Sequence, residues 1–195
     1  IVNPKLKGSL YPFPDLCGSA VAFKLVQAVL AAENFGMKPG MEKWSLDMVA
    51  IATLSDMVPL INENRALAYY GLKVLQKNRR PGLQKLFADL NIDARYLAED
   101  DLTFMITPRI NAASRMGIPR DAFTLMSTID EVEAGVLAQH LNNKNDERKG
   151  VVGSMIKEIK KRLEENHDEM KMIVIPFQQK VIELVFLKNA LLLPH

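Results

Sequence analysis

Residues Trp44–Leu60 read WSLDMVAIATLSDMVPL, and the fold turns on what this apolar run becomes. Val49, Ile51 and Thr53 would suit a strand, but the length of the run favours a helix. Ser45 is placed to cap it, and Asp47 falls in its first turn, where the helix dipole favours an anion. Pro59 stops it, because the residue before a proline is pushed out of the helical region. Downstream, Asn62 opens another helix to about Lys77, with Leu67, Tyr70, Leu72, Val74 and Leu75 as its apolar contacts. Arg79-Arg80-Pro81-Gly82 breaks that helix, and Leu83–Leu90 forms a short one. Upstream, Pro12, Pro14 and Gly18 punctuate the first segment, and Ser19 caps a helix running to about Asn34 and ending at Gly36. Its apolar residues lie on nearly every face, which implies burial within a layered domain. Lys24 in its middle is either a lysine snorkelling from a partly buried face or a cation aimed into a cleft.

After the polar stretch Asn91–Asp101, Leu102–Ile106 (LTFMI) has the composition of a short buried strand. TPRINAASRMGIP (Thr107–Pro119) then reads as a loop holding two arginines and an asparagine. Thr128-Ile-Asp-Glu131 fits a capping box and starts a long helix. Val152, Met155, Ile156, Ile159 and Leu163 give it an apolar stripe, and Glu158 with Arg162 adds a favourable i,i+4 pair. Gly150 and Gly153 weaken its continuity, so a break is expected near them. The segment from about Thr128 to Asn166 reads as a solvent-exposed helix leading out of the domain. Met172–Ile175 begins a strand of a next unit, and Val181–His195 is apolar without a catalytic signature.

At 195 residues the chain is one domain, or one and part of a second. Its 48% hydrophobic and 25% charged content excludes disordered and collagen-like classes. Lys and Arg total 25 against 23 Asp and Glu, so nucleic-acid binding must come from a local patch rather than a global field. The single cysteine, Cys17, rules out a disulfide framework and points to a reducing compartment. The three histidines stand far apart with no partner at metal-ligand spacing, against a self-contained zinc site. No stretch reaches the roughly 18 apolar residues of a membrane span. The opening IVNPK has neither an initiator Met nor a signal-peptide layout, so an excerpt of a longer, cytoplasmic protein is expected.

Asp56, in Leu54-Ser-Asp-Met-Val58, is an anion among apolar neighbours at the negative end of a helix dipole. A divalent cation would reverse both penalties; without one, the carboxylate simply caps a turn or faces solvent. In the 107–117 stretch, Arg109 and Arg115 suit bidentate phosphate binding among small residues, and Asn111 suits a phosphate, a sugar or bracing of the loop. Lys5, Lys7, Lys24, Arg65, Arg79 and Arg80 would extend a positive groove if they share a face.

YPFPDLCGSAVAFKL (Tyr11–Leu25), LDMVAIATLSDMVPL (Leu46–Leu60), ENRALAYYGL (Glu63–Leu72), RPGLQKL (Arg80–Leu86), TPRINAASRMG (Thr107–Gly117) and LNNKNDERK (Leu141–Lys149) occur in this order. Together, over about Ile1–Arg162, they resemble the middle of the RecJ-type single-strand-specific 5′→3′ DNA exonucleases of the DHH phosphoesterase superfamily. The resemblance implies two divalent metals, Mn2+ or Mg2+, held by several aspartates and a His-His pair. Asp56 matches the last metal-ligand aspartate, and Arg109, Asn111 and Arg115 match a loop facing the DNA cleft; Lys24 is a weaker candidate for phosphate contact. It further implies single-stranded DNA as the partner in repair and recombination, with single-strand-binding protein and a helicase as further partners and no membrane.

The chain also departs from that pattern. It has no His-His and no Gly-Gly-His, Ser114 stands where glycine is usual, and Lys149 stands where glutamine is common. The expected fold is α/β and helix-rich: a partial DHH-type catalytic domain over 1–127, a helical connector over 128–166, and a tail or the start of a next domain over 167–195. The main strands and the other metal ligands are expected upstream, so the piece should be mostly helical and inactive alone. Two alternatives stand beside this: a DHH phosphodiesterase for small nucleotides, and a DNA-binding scaffold that has lost its metal ligands.

Overall fold

The computed structural model describes residues 2–77, 79–165, 173–177 and 180–184 of the chain. Helix α1 spans Gly18–Ala32, α2 Leu46–Ser55, α3 Asn62–Leu75, α4 Pro81–Asp89, α5 Thr107–Arg115, α6 Pro119–Ser127 and α7 Glu131–Glu165. Two strands, β1 (Ile173–Phe177) and β2 (Lys180–Leu184), pair antiparallel from Ile173↔Leu184 to Phe177↔Lys180. The chain divides into two compact units, Ile1–Asp146 and Glu147–His195, with the division inside α7. Every regular element described in the first unit is helical, so the expected α/β class shows there as helix alone.

The first unit is packed around α2, in which Leu46, Asp47, Val49, Ala50, Ile51, Thr53 and Leu54 are all buried. With apolar residues on all sides, α2 has no face to give to water and must be enclosed. Leu46 and Val49 meet Phe13, Leu16, Cys17, Ala20 and Phe23 from the N-terminal segment and α1. Ala50, Ile51 and Leu54 join a larger cluster with Leu75 of α3, Leu83, Leu86 and Phe87 of α4, Leu102, Ile106, and Leu125 of α6.

Helix α3 turns back along α2 after a short connection, burying Asn64, Ala68, Gly71 and Leu75 at helical spacing. Gly71 permits the approach, since a Cβ there would sit 2.3 Å from the Leu46 carbonyl oxygen. Gly82 plays the same part between α4 and α6, where a Cβ would fall 1.9 Å from the Leu125 oxygen.

The buried Asp47 is answered by Arg80, whose Nε and Nη2 donate to its two carboxylate oxygens at 2.5 and 3.1 Å. Nη1 of Arg80 also donates to the Met126 carbonyl at 3.1 Å. One guanidinium thus ties α2, the α3–α4 junction and the end of α6. Arg80 is accordingly an internal tie and not part of an open groove.

Several sequence expectations are corrected. Leu102–Ile106 is not a strand but lies in a π-helical segment, Asp101–Ile106, that runs straight into α5. Leu102 and Ile106 are fully buried and Phe104 is exposed, which is helical and not alternating spacing. TPRINAASR is therefore a helix and not a loop, with Pro108 in its first turn, where its missing N–H costs little. Helix α6 was not foreseen. Helix α2 ends at Ser55, well before Pro59, because Met57 takes a left-handed φ of 51°. Asp130, and not a Thr128–Glu131 box, caps α7: its Oδ1 accepts from the N–H groups of Val132 and Glu133. Helix α7 runs through Gly150 and Gly153 without a break. In α1 only Ala20 and Phe23 are buried, and Leu25, Val26 and Val29 stay exposed, so among the described residues the expected burial covers one face only. The strand expected to begin at Met172–Ile175 appears as β1. The Arg162 side chain and the apolar ending lie outside the described residues, except for the backbone of β2.

The two kinds of glycine separate in a stability measurement. Gly82→Ala should lose about 1–3 kcal/mol by overpacking, read as a lower urea midpoint. Gly135→Ala, in α7 with open space around it, should gain about 0.5–1 kcal/mol from helix propensity.

Candidate functional site

Asp56 is the C-cap residue of α2, its N–H donating to the Ala52 carbonyl at 2.9 Å. Its carboxylate is exposed and has no hydrogen bond or ion pair among the described residues. The chain reverses at once through Met57, an exposed long side chain in the left-handed region, where a non-glycine residue is unfavourable. Capping of a turn by the carboxylate is thus excluded, and Asp56 stands as an acceptor-only group facing outward.

Helix α5 abuts this end of α2. The Ser55 and Thr107 hydroxyls hydrogen-bond at 2.6 Å, joining the neighbour of Asp56 to the first residue of α5. At 100° per residue, Asn111, Ser114 and Arg115 continue the stripe that Thr107 begins, and all three are exposed. Ala112 and Ala113 face the core instead, fully buried. The Ser55–Thr107 contact thus joins the residue before Asp56 to the first turn of α5, the helix that carries the exposed Asn111 and Arg115.

Arg109 points the other way. Its Nε donates to Asn142 Oδ1 at 2.5 Å and its Nη1 to the Met105 carbonyl at 2.5 Å. Asn142 in turn donates to Asp89 Oδ2 at 2.8 Å. Burial pushes Arg109 below the ordinary arginine range, and the charges of Asp146 and Asp89 act against that shift. Of the two roles open to this stretch, Arg109 takes the bracing one, fixing α5 to α7 and α4.

Lys24 lies on the wall of a cavity of about 570 Å³ lined by residues of the 2–16 segment and α1. Its Nζ donates to Glu63 Oε1 at 2.5 Å, and the Tyr11 hydroxyl donates to Glu63 Oε2 at 2.6 Å. For Lys24, burial works against the charged form, but the hydrogen bond and charge of Glu63 outweigh it, so the ammonium titrates above its ordinary 10.5. Burial would raise Glu63, but the hydrogen bonds from Lys24 and Tyr11 outweigh it and hold the carboxyl below 4.5. Burial and the bond to Glu63 hold the Tyr11 hydroxyl above 10.0. Lys24 is a tie between α1 and α3, with its charge already answered.

Among the described residues, no group of three or more His, Cys, Asp or Glu is arranged to hold a metal ion. Asp56 fits as one carboxylate donor, but the described residues by themselves do not make a metal site. No helix among them is long and apolar enough to cross a membrane. Sequence reasoning missed Ser55, Thr107, Asn142 and Asp89. Thr-Pro at a helix start was the available signal for the first pair, while the Asn142–Asp89 link joins residues far apart in sequence.

Glu63 sets the sign of a pH effect. Its depressed pKa contributes stability that is present above 4.5 and lost as pH falls through the folded value. The urea midpoint should therefore drop from about pH 6 to about pH 3, and Glu63→Gln should flatten that limb. The raised Lys24 and Tyr11 values act oppositely, their contribution being lost as pH rises through them.

No family model matches the chain. The single-stranded-DNA-specific exonuclease RecJ of Bacillus subtilis is 35% identical over 175 residues, which is 90% of this chain and 21% of that protein. Thermus thermophilus RecJ in complex with Mg2+ superposes with a TM-score of 0.69 at 32% identity, over 80% of this chain and 24% of that one. Exonuclease RecJ bound to manganese gives a TM-score of 0.66 at 31% identity, over 80% of this chain and 37% of that one. The chain thus spans about a fifth to a third of the length of the relatives it matches.

Proposed function

We propose that this chain, similar in sequence and fold to RecJ exonucleases, is part of a metal-dependent 5′→3′ exonuclease specific for single-stranded DNA. What supports the reading is the exposed Asp56 carboxylate, unpaired among the described residues, whose neighbour Ser55 is hydrogen-bonded to Thr107 at the start of the helix that carries the exposed Asn111 and Arg115. Asp56 supplies one carboxylate to Mn2+ or Mg2+, and the remaining donors come from outside the described residues. When bound, the metals supply an activated water and neutralise charge on the phosphate.

The residues of this chain do the rest of what can be assigned to it. Arg115 holds a phosphate of the DNA backbone by charge-assisted hydrogen bonds, and Asn111 donates to a phosphate or sugar oxygen. Arg109 keeps α5 at a fixed angle to α2 so that both reach the strand. Helix α7 serves as the connector to a further domain, the first unit is the latter part of a DHH-type domain, and the enzyme works in the cytoplasm. With a single candidate ligand, the chain alone does not cleave.

Three measurements test this. Incubated with Mn2+ and 5′-phosphorylated single strands, the isolated chain should release no nucleotides, and metal-dependent digestion would overturn the assignment of the other ligands. In the longer enzyme, Arg115→Ala should weaken single-strand binding by about ten-fold with the urea midpoint unchanged, as for loss of one charge-assisted contact. Arg109→Ala should instead lower stability by about 1–3 kcal/mol.

A further inference from the structure

Helix α3 buries one face against α2, and the acidic side chain at the edge of its opposite face, Glu63, is already held by Lys24 and Tyr11. Arg65, Tyr69 and Lys73 follow one another at i,i+4 spacing, Lys77 continues the row just beyond the helix, and all four are exposed. The row covers about 18 Å. Tyr70 lies beside it; the two tyrosines are 57% and 59% exposed and meet edge-to-face with ring centroids 5.2 Å apart. At the far end Trp44 holds two cations, Lys77 at 5.0 Å and Arg79 at 4.0 Å from its ring, and Lys73 lies 5.7 Å from the Tyr69 ring. None of these four cations is paired with a carboxylate among the described residues.

We propose that this face of α3 is a second contact surface for single-stranded nucleic acid, separate from the Asp56–α5 site. Cations interleaved with open aromatic faces match a strand that offers a phosphate and a flat base in each repeat. An acidic peptide would answer the charges but leave the tyrosine faces unused. Stacking on Trp44 holds the Lys77 and Arg79 head groups at the surface. The row also has a direction: Arg65 lies toward the start of α3, where the chain has just left Asp56, and Trp44 lies at the opposite end of α2. A strand lying along it leads to or from the Asp56 end.

The test is fluorescence anisotropy of the chain with labelled oligo(dT) of about 20 nucleotides, in EDTA so that no metal chemistry enters. The surface requires that Lys73→Glu with Lys77→Glu weaken binding about ten-fold or more and reduce the slope of log K against log salt by about 1.4. Tyr69→Ala with Tyr70→Ala should weaken it about five-fold or more with the slope retained. The milder Lys73→Gln with Lys77→Gln, and ultraviolet cross-linking of the unaltered chain to Tyr69 or Tyr70, give the same answer without dependence on refolding of a charge-reversed variant. Wild-type affinity in both double variants, or displacement of the oligonucleotide by oligo-glutamate with the tyrosine variant unaffected, would overturn the proposal. Because binding is read without metal, these outcomes are independent of whether Asp56 is a ligand.

Discussion

The structure depends on enclosing a helix that has no polar face. α2 brings a carboxylate, Asp47, into the interior with it, and an unpaired charge there would cost several kcal/mol. Arg80 removes that cost and, by also holding the Met126 carbonyl, fixes three elements at one point. Two glycines let the neighbours close in, Gly71 beneath α3 and Gly82 between α4 and α6. The far end of α2 is the end left open. There the left-handed Met57 turns the chain away and leaves Asp56 at the surface, anchored by its backbone alone.

Two contacts decide what that fixed end presents. Ser55 grips Thr107, so the polar stripe of α5 starts beside Asp56, and Arg109 locks α5 from behind through Asn142 and Asp89. The two arginines of one short motif thus divide the work: one is spent inward on geometry, the other faces outward. The same division separates Arg80 from Arg79 and Lys24 from Arg65. Among cations that look alike in sequence, burial and a facing carboxylate or carbonyl decide which are ties and which are open to a ligand.

Much of this was legible in the residues. The α2 run, the α3 helix and the length of α7 follow from apolar spacing, and the resemblance to RecJ agrees with the similarity to solved RecJ structures over 80% of the chain. The 102–117 region was not legible. A short run that is apolar but for Thr103 reads equally as strand or buried helix, and Thr-Pro reads as a stop, although a proline in a first turn can begin a helix. The apolar faces of α1 show the opposite difficulty: composition demanded burial, and the described residues cover only the side of Ala20 and Phe23. Apart from the Met105 carbonyl beside Arg109, the partners of Arg80, Arg109 and Lys24 lie 33 to 46 positions away in the chain, where no local pattern reaches.

The most direct test of the central claim is manganese coordination itself. In the longer enzyme, electron paramagnetic resonance of bound Mn2+ should show loss of one metal, or a clear weakening of its binding, when Asp56 becomes Asn, with the fold retained by circular dichroism. An unchanged Mn2+ stoichiometry, affinity and spectrum in that variant would contradict the assignment of Asp56 as a ligand.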